Sequence, residues 1–293
     1  MKKINRRSFL AAAGLSAAAM ALTACGSSSS TASSTASSAA ESASSAASEA
    51  STQAIQSLED LNGKSVGVQL GTTGDLMMSE EIENAEGLNL ASVERYNKAA
   101  DAVQALLTNK IDAVCIDDQV AKNFIAANPD TLTMLDTAYS EESYAIAVSK
   151  DRPELTEALN AAIAELKEDG TLDAILNKYI AKEEGAAGYV SPEGVDHSNG
   201  TLVMATNAAF DPYEYIEGGE IVGIDPEFAQ ALCDKMGYAL EIEDMEFDSI
   251  IAAVVSGKAD FGMAGMTVTE ERMQQIDFTD TYCTAAQNII VLK

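Results

Sequence analysis

The chain has 293 residues, with 18 lysines and arginines against 46 aspartates and glutamates, so its formal net charge is −28 with the one histidine neutral. That length can fill two ordinary domains or one large one and bury a sizeable core. A surface this negative repels phosphate backbones and anionic headgroups, which excludes a nucleic-acid partner and membrane attachment through a basic face.

Residues 1–24 open with Lys2, Lys3, Arg6 and Arg7, run through an apolar stretch from Phe9 to Leu22, and end in small residues before Cys25. This is a signal-peptide pattern, too short and alanine-rich for a transmembrane span. Leu22-Thr23-Ala24-Cys25 resembles the lipobox of bacterial lipoproteins, which implies cleavage before Cys25 and a lipid on its sulfur. The Arg6-Arg7 pair fits a twin-arginine export signal and an ordinary secretory signal alike. Residues 25–57 read as the lipidated cysteine and a spacer: Ser27 to Thr52 is almost all serine, alanine and threonine and has nothing to bury.

From Leu58 the composition changes. Ser65 to Leu70 reads as a buried strand, Ala99 to Leu107 as a helix, Asp112 to Ile116 as a strand and Ala121 to Ala127 as a helix. Pro153 to Lys167 and Thr171 to Ala181 are the clearest helices, with Asp169-Gly170 as stop and restart. Glu183 to Gly200, rich in glycine and polar residues, reads as a linker. A second series follows: strand Thr201 to Thr206, helix Pro226 to Met236, strand Ala239 to Ile242, helix Ser249 to Val255, strand Asp260 to Met263 and a last strand Asn288 to Leu292. Strands alternating with helices predict an α/β fold. The halves also echo each other, since Ala102 to Ile116 and Ile250 to Ala264 share a helix, a turn ending in lysine, and an aspartate opening an apolar strand.

Few residues offer catalysis. His197 stands alone in the linker, so neither a histidine metal cluster nor a histidine triad is expected, and no cofactor or metal is. Cys115, Cys233 and Cys283 are far apart in apolar settings and read as buried thiols, among which at most one disulfide could form. No glycine-rich nucleotide-binding pattern occurs. What remains suits a zwitterion. Gly71-Thr72-Thr73-Gly74 lies between a strand and a helix, where free N–H groups favour a carboxylate. Arg272 can grip the same carboxylate through two parallel hydrogen bonds. Asp117, at the end of a strand, can receive an ammonium group.

Gly200 to Lys293 resembles the amino-terminal half of the periplasmic-type amino-acid-binding proteins of ABC importers, through TLVMATNAAFDPYEY, GGEIVGIDPEFAQALCDKMG, FDSIIAAVVSGKADFGMAGMTVTEER and IDFTDTYC. Leu58 to Ile180 resembles the carboxyl-terminal half, through DLNGKSVGVQLGTTGD, AVQALLTNKIDAVCIDD, YAIAVSKD and LKEDGTLDAILNKYI. The order is swapped, so the chain resembles a circular permutant of this solute-binding family. The resemblance implies a two-lobed periplasmic-binding-protein-like α/β fold with two hinge strands. One lobe would take residues 58–140 and 287–293, the other residues 141–182 and 200–286, and residues 183–199 would join the original termini. Lys293 should then lie near Leu58.

The resemblance also implies roles. Arg272 and Thr73 would bind the ligand carboxylate; Asp117, Thr267 and the backbone of Gly265 would meet the ammonium. Phe210 and Phe247 would sandwich the side chain, which Asn207 and Gln69 would face. Asn207 is uncharged where binders of cationic amino acids often carry aspartate, which weakens an arginine or lysine assignment. The expected protein is a non-enzymatic, exported, monomeric lipoprotein. Lipid at Cys25 would hold it on the extracytoplasmic face of the bacterial cell membrane, where it would deliver a polar amino acid to ABC permease subunits. Two alternatives are a dehydratase-type enzyme on the same fold and a sensory module that signals to a receptor.

Overall fold

The computed structural model describes residues 54–293. The signal-peptide pattern, Cys25 and most of the spacer lie outside the described residues. In the first half come β1 (Ser65–Gln69), α1 (Thr73–Glu80), β2 (Ser92–Tyr96), α2 (Ala99–Leu107), β3 (Ala113–Asp117), α3 (Asp118–Ala127), β4 (Leu132–Met134), β5 (Ser140–Tyr144), β6 (Ala147–Ser149), α4 (Pro153–Glu168) and α5 (Thr171–Leu176). In the second half come β7 (Thr201–Thr206), β8 (Ala209–Phe210), β9 (Glu214–Glu217), β10 (Glu220–Val222), α6 (Ile224–Met236), β11 (Ala239–Asp244), α7 (Ile250–Val255), β12 (Phe261–Gly262), β13 (Ile276–Phe278) and β14 (Cys283–Leu292).

These strands build two principal sheets, one in each lobe of an α/β fold. The first has the order β2-β1-β3-β14-β4, with β5 also paired to β14. The second has the order β11-β7-β12-β6-β13, and β8 to β10 form a small separate sheet. In each large sheet the βαβ strands run parallel, and the antiparallel strand inserted beside them comes from the other half of the chain: β14 beside β3, and β6 beside β12. Two passages therefore link the lobes. In one, β14 pairs with β5 over Cys283 to Gln287 before joining β3; in the other, β5 leads into β6.

Local sequence explains the helices. Pro153 occupies the first turn of α4, where its missing N–H costs nothing, and Leu155, Leu159, Ala162, Ile163 and Leu166 repeat at helical spacing on its buried face. The echo between the halves is structural. Lys110 N–H donates to the Ala105 carbonyl and Lys258 N–H to the Ala253 carbonyl, both at 2.9 Å, after a left-handed residue, Asn109 (φ 55°) or Gly257 (φ 73°). Asp112 then accepts from Ser65 N–H at 2.9 Å, and Asp260 from Val203 N–H at 2.7 Å, each aspartate holding the neighbouring parallel strand, β1 at its first residue and β7 at its third.

Several elements differ from the sequence expectation. The last strand begins at Cys283 rather than Asn288, because its polar first half pairs with β5 and needs no apolar run. The Thr171–Ala181 helix divides at Leu176 into α5 and a turn of π-helix over Asn177–Ala181. Helix α3 starts at Asp118, capped by Asp117 in extended conformation, and β12 is only Phe261–Gly262. Strands β2, β4, β5, β6, β8, β9, β10 and β13 were not expected; they are short or polar, and for β4, β5, β6 and β13 pairing partners distant in sequence define them.

Residues 183–200 contain no regular element, as expected of a linker, yet they are tied to α6. Tyr189 N–H donates to Glu227, Tyr189 hydroxyl to Asp234 at 2.8 Å, and His197 pairs with Asp234 at 2.9 Å. Ala54 and Ile55 line a crevice with Leu292 and Lys293, so the start of the described chain and its end are neighbours. Cys115, Cys233 and Cys283 are buried free thiols, and among the described residues no metal-binding cluster of histidine, cysteine or carboxylate occurs.

Candidate ligand-binding site

A cavity between the lobes is lined by Gln69, Thr72, Thr73 and Asp117 from one side and by Asn207, Phe210, Glu214, Phe247, Ala264, Gly265 and Thr267 from the other, with Gln287 of β14 between them. Eight of the nine residues proposed from the sequence line it. The ninth, Arg272, is 4 % exposed at its rim, and its guanidinium carbon stands 5.4 Å from the Phe247 ring centroid. The enclosed space leaves about 10 Å³ for the centre of a water-sized body, so an amino acid enters only if the lobes part.

Each polar group arrives on a defined element. β1 ends at Gln69, and Gly71, in the left-handed region at φ 75°, turns the chain into α1, whose N-cap Thr72 accepts from Asp75 N–H at 3.3 Å. Thr73 is the first residue of α1, and its hydroxyl donates to Thr267 Oγ1 at 2.8 Å across the cleft. Gln69 Nε2 donates to Asn207 Oδ1 at 2.8 Å, and Arg272 donates to the carbonyls of Thr267 (2.8 Å) and Gly71 (3.1 Å). Gly265 N–H donates to Asp225 at 2.8 Å, which commits that backbone group to a carboxylate behind the cavity.

Sequence reasoning missed the carboxylates and amides that surround these residues. Glu142, on β5, accepts from Thr267 Oγ1 at 2.5 Å and from Gln287 Nε2 at 2.7 Å. Tyr144, two residues further, donates its hydroxyl to Asp117. Neither oxygen of Glu214 receives a hydrogen bond from a described residue. Only Glu214 carried a sequence signal, a carboxylate between two aromatic residues in DPYEY.

Burial dominates the electrostatics. It pushes the Asp117 carboxyl well above the usual range, with Glu142 adding to the effect, and it does the same to Glu214 with Asp225 adding. Asp225 rises to about 6, through burial opposed by hydrogen bonds from Gly265 and Tyr282. Burial lowers Arg272 to about 10 against the opposing pull of Glu142 and Asp117, and it remains a cation at neutral pH. The site can thus clamp a small molecule that carries an anionic and a cationic end, touching both lobes.

Fold and site define a two-lobed binding protein whose cleft is built from both halves of the chain. Residues 202–293 match the family model for bacterial extracellular solute-binding proteins, family 3, and residues 15–193 match that described as ABC transporter, phosphonate, periplasmic substrate-binding protein. The chain belongs to the periplasmic substrate-binding proteins of ABC transporters. It is 45 % identical over 103 residues to the arginine-binding extracellular protein ArtP of Bacillus subtilis (strain 168), covering 35 % of this chain and 40 % of that protein. It is 31 % identical over 129 residues to the L-cystine-binding protein TcyJ of Escherichia coli (strain K12), covering 44 % and 46 %. A probable histidine-binding protein of Campylobacter jejuni is 34 % identical over 127 residues, covering 43 % and 47 %. The matched stretch spans less than half the length of each of these relatives. Among solved structures, arginine-bound domain 1 of TmArgBP is 34 % identical, with 33 % of this chain and 82 % of that one covered and a TM-score of 0.29.

Proposed function

We propose that this protein captures a free L-α-amino acid with a polar side chain in the cleft and delivers it, without chemical change, to the membrane subunits of an ABC importer. One observation supports the reading: Thr73 and Asp117 of one lobe line a cavity with residues of the other, and Arg272, bonded to Thr267 and stacked on Phe247 of that lining, stands beside it, residue types able to hold a carboxylate and an ammonium. Phe210 and Phe247 would flank the side chain, and Gln69 and Asn207 would hydrogen-bond to it once their mutual bond is broken. Thr267 would meet the ammonium beside Asp117; Gly265, its N–H already engaged, would contribute through close backbone approach. Because the two half-sites belong to different lobes, only a ligand touching both shifts the population toward closure.

A phosphonate is a poor fit, since its two negative charges would meet one guanidinium among Asp117, Glu142, Glu214 and Asp225. The same carboxylates favour a second reading, a basic side chain. Glu214 is 1 % exposed with no donor among the described residues, and several relatives carry arginine-binding names. Melting temperatures measured against each of the twenty common L-amino acids and L-cystine test the proposal. A rise with one or a few of them is expected, with arginine or lysine as the outcome for the basic reading; no rise with any would overturn amino-acid capture.

In the same proposal the chain is a circular permutant exported by its signal peptide, lipidated at Cys25, tethered by the Ser/Ala spacer and working as a monomer at the membrane's outer face. The nearness of Ala54 and Ile55 to Lys293, and the docking of residues 183–200 on α6, support the permutation.

A further inference from the structure

We propose that Asn123 of α3 is a clasp residue: it fastens the two lobes to each other at the rim of the cleft, outside the ligand cavity, and so sets how long a captured molecule stays without touching it. The inference rests on the amino-acid reading for its ligand and goes beyond it in assigning residues that the ligand does not meet.

Helix α3 belongs to the lobe of the first sheet, since it follows β3 directly and buries Val120 and Ala121 there. The side-chain amide of Asn123 uses both of its ends on the other lobe. Its Nδ2 donates to the Asp211 carbonyl at 3.0 Å, and its Oδ1 accepts from Lys182 Nζ at 3.3 Å. Both partners are mounted on α6. The Asp211 segment is tied down by Ile224 N–H, which donates to the Pro212 carbonyl at 3.1 Å, and by Asp225 N–H, which donates to the Tyr213 carbonyl at 2.9 Å. Lys182 caps the π-helical turn in the left-handed region (φ 51°), and that turn is held by Lys178 and Tyr179, which donate to Glu227 of α6 at 2.7 and 2.8 Å. Burial raises the Asp211 carboxyl above the ordinary aspartate range and the Lys182 ammonium opposes that, so the two groups share one stretch of rim.

Other hydrogen bonds across the cleft are of a different kind. Gln69 to Asn207, Thr73 to Thr267 and Arg272 to the Gly71 carbonyl use groups that the amino acid itself needs, so capture breaks them. Asn123, Asp211 and Lys182 are not among the residues lining the cavity, and their bonds survive in a closed, loaded protein. A contact made only in the closed state favours closure, and one that leaves the ligand's partners free passes the whole of that gain to the apparent affinity. Release requires the lobes to part, so the clasp acts on the dissociation rate, whereas capture precedes its formation. These bonds compete with water at the surface, which limits their effect to about threefold.

The test uses the purified full chain and, as probes, each of the twenty common L-amino acids and L-cystine singly, with association and release followed by stopped-flow tyrosine fluorescence. Asn123→Ala should release every amino acid that the parent chain binds about threefold faster, by one common factor, with association unchanged. Lys182→Met, which removes one of the two bonds, should act in the same direction by less. Lys122→Ala, on the same helix, loses only a pair with Asp118 of its own lobe and should behave as the parent. Unchanged release in Asn123→Ala overturns the proposal, and so does a factor that differs from one amino acid to another, which would make Asn123 a ligand contact. Should Asn123→Ala fail to fold, Lys182→Met decides at an exposed residue, and release at the parent rate overturns the clasp. If the parent binds none of the probes, amino-acid capture falls, and X-ray scattering without added amino acid decides the clasp: a larger radius of gyration in Asn123→Ala supports it, and an equal one overturns it.

Discussion

Arg272 shows how much one side chain decides. Its guanidinium is buried beside Phe247, keeps its charge because Glu142 and Asp117 offset part of the desolvation, and reaches backbone carbonyls of both lobes. A ligand carboxylate would be a stronger partner than either carbonyl, since a carboxylate and a guanidinium are both ionised and can pair through two parallel hydrogen bonds. Arg272→Ala is expected to weaken amino-acid binding by at least ~2 kcal/mol, roughly thirtyfold, in calorimetry. Unchanged affinity would count against the clamp. Arg272 was visible in the sequence because arginine is scarce there and follows a threonine-rich loop. Glu142 was not, because SEESY reads as polar loop until β14 is laid beside it.

At the scale of elements, the repeated helix–turn–strand unit is the clearest case of local chemistry directing structure. In both copies a left-handed residue ends the turn, a lysine N–H closes it, and an aspartate holds an N–H of the adjacent strand. Asp112 pairs further with Lys64, and Asp260 with Arg152 at 2.7 Å. Asp112→Ala and Asp260→Ala are each expected to lower stability in urea unfolding by about 1 kcal/mol, the worth of a partly exposed hydrogen bond, and to leave amino-acid affinity unchanged. Helices α2 and α4 and strands β1, β3 and β7 were legible for the same reason, since apolar spacing and flanking breakers encode them within a dozen residues. Strands β5, β6 and β13 had no such local code, because each is short and owes its existence to a partner far away in the chain.

For the whole molecule, connectivity is the open variable. If the halves are permuted, breaking the chain within residues 183–200 and joining the present end to Leu58 should restore an unpermuted order around the same contacts. A chain running from Gly200 to Lys293, then through a short Gly/Ser join to Leu58 and on to Lys182, is expected to fold and to bind the same amino acid within about threefold in calorimetry, since a surface join leaves the cleft contacts intact. Failure to fold would speak against the permutation. The sequence alone determined the alternation of strand and helix, the linker, the repeated unit, and the residue types able to hold a zwitterion, because each of these is written in spacing and chemistry over short range. Tertiary structure alone decided that β14 and β6 exchange between the lobes, that Gln287 and Glu214 line the same cavity, and that Glu142 and Tyr144 bond residues of its lining. Burial and long-range pairing created that environment, and neither has a signature in any single stretch of chain.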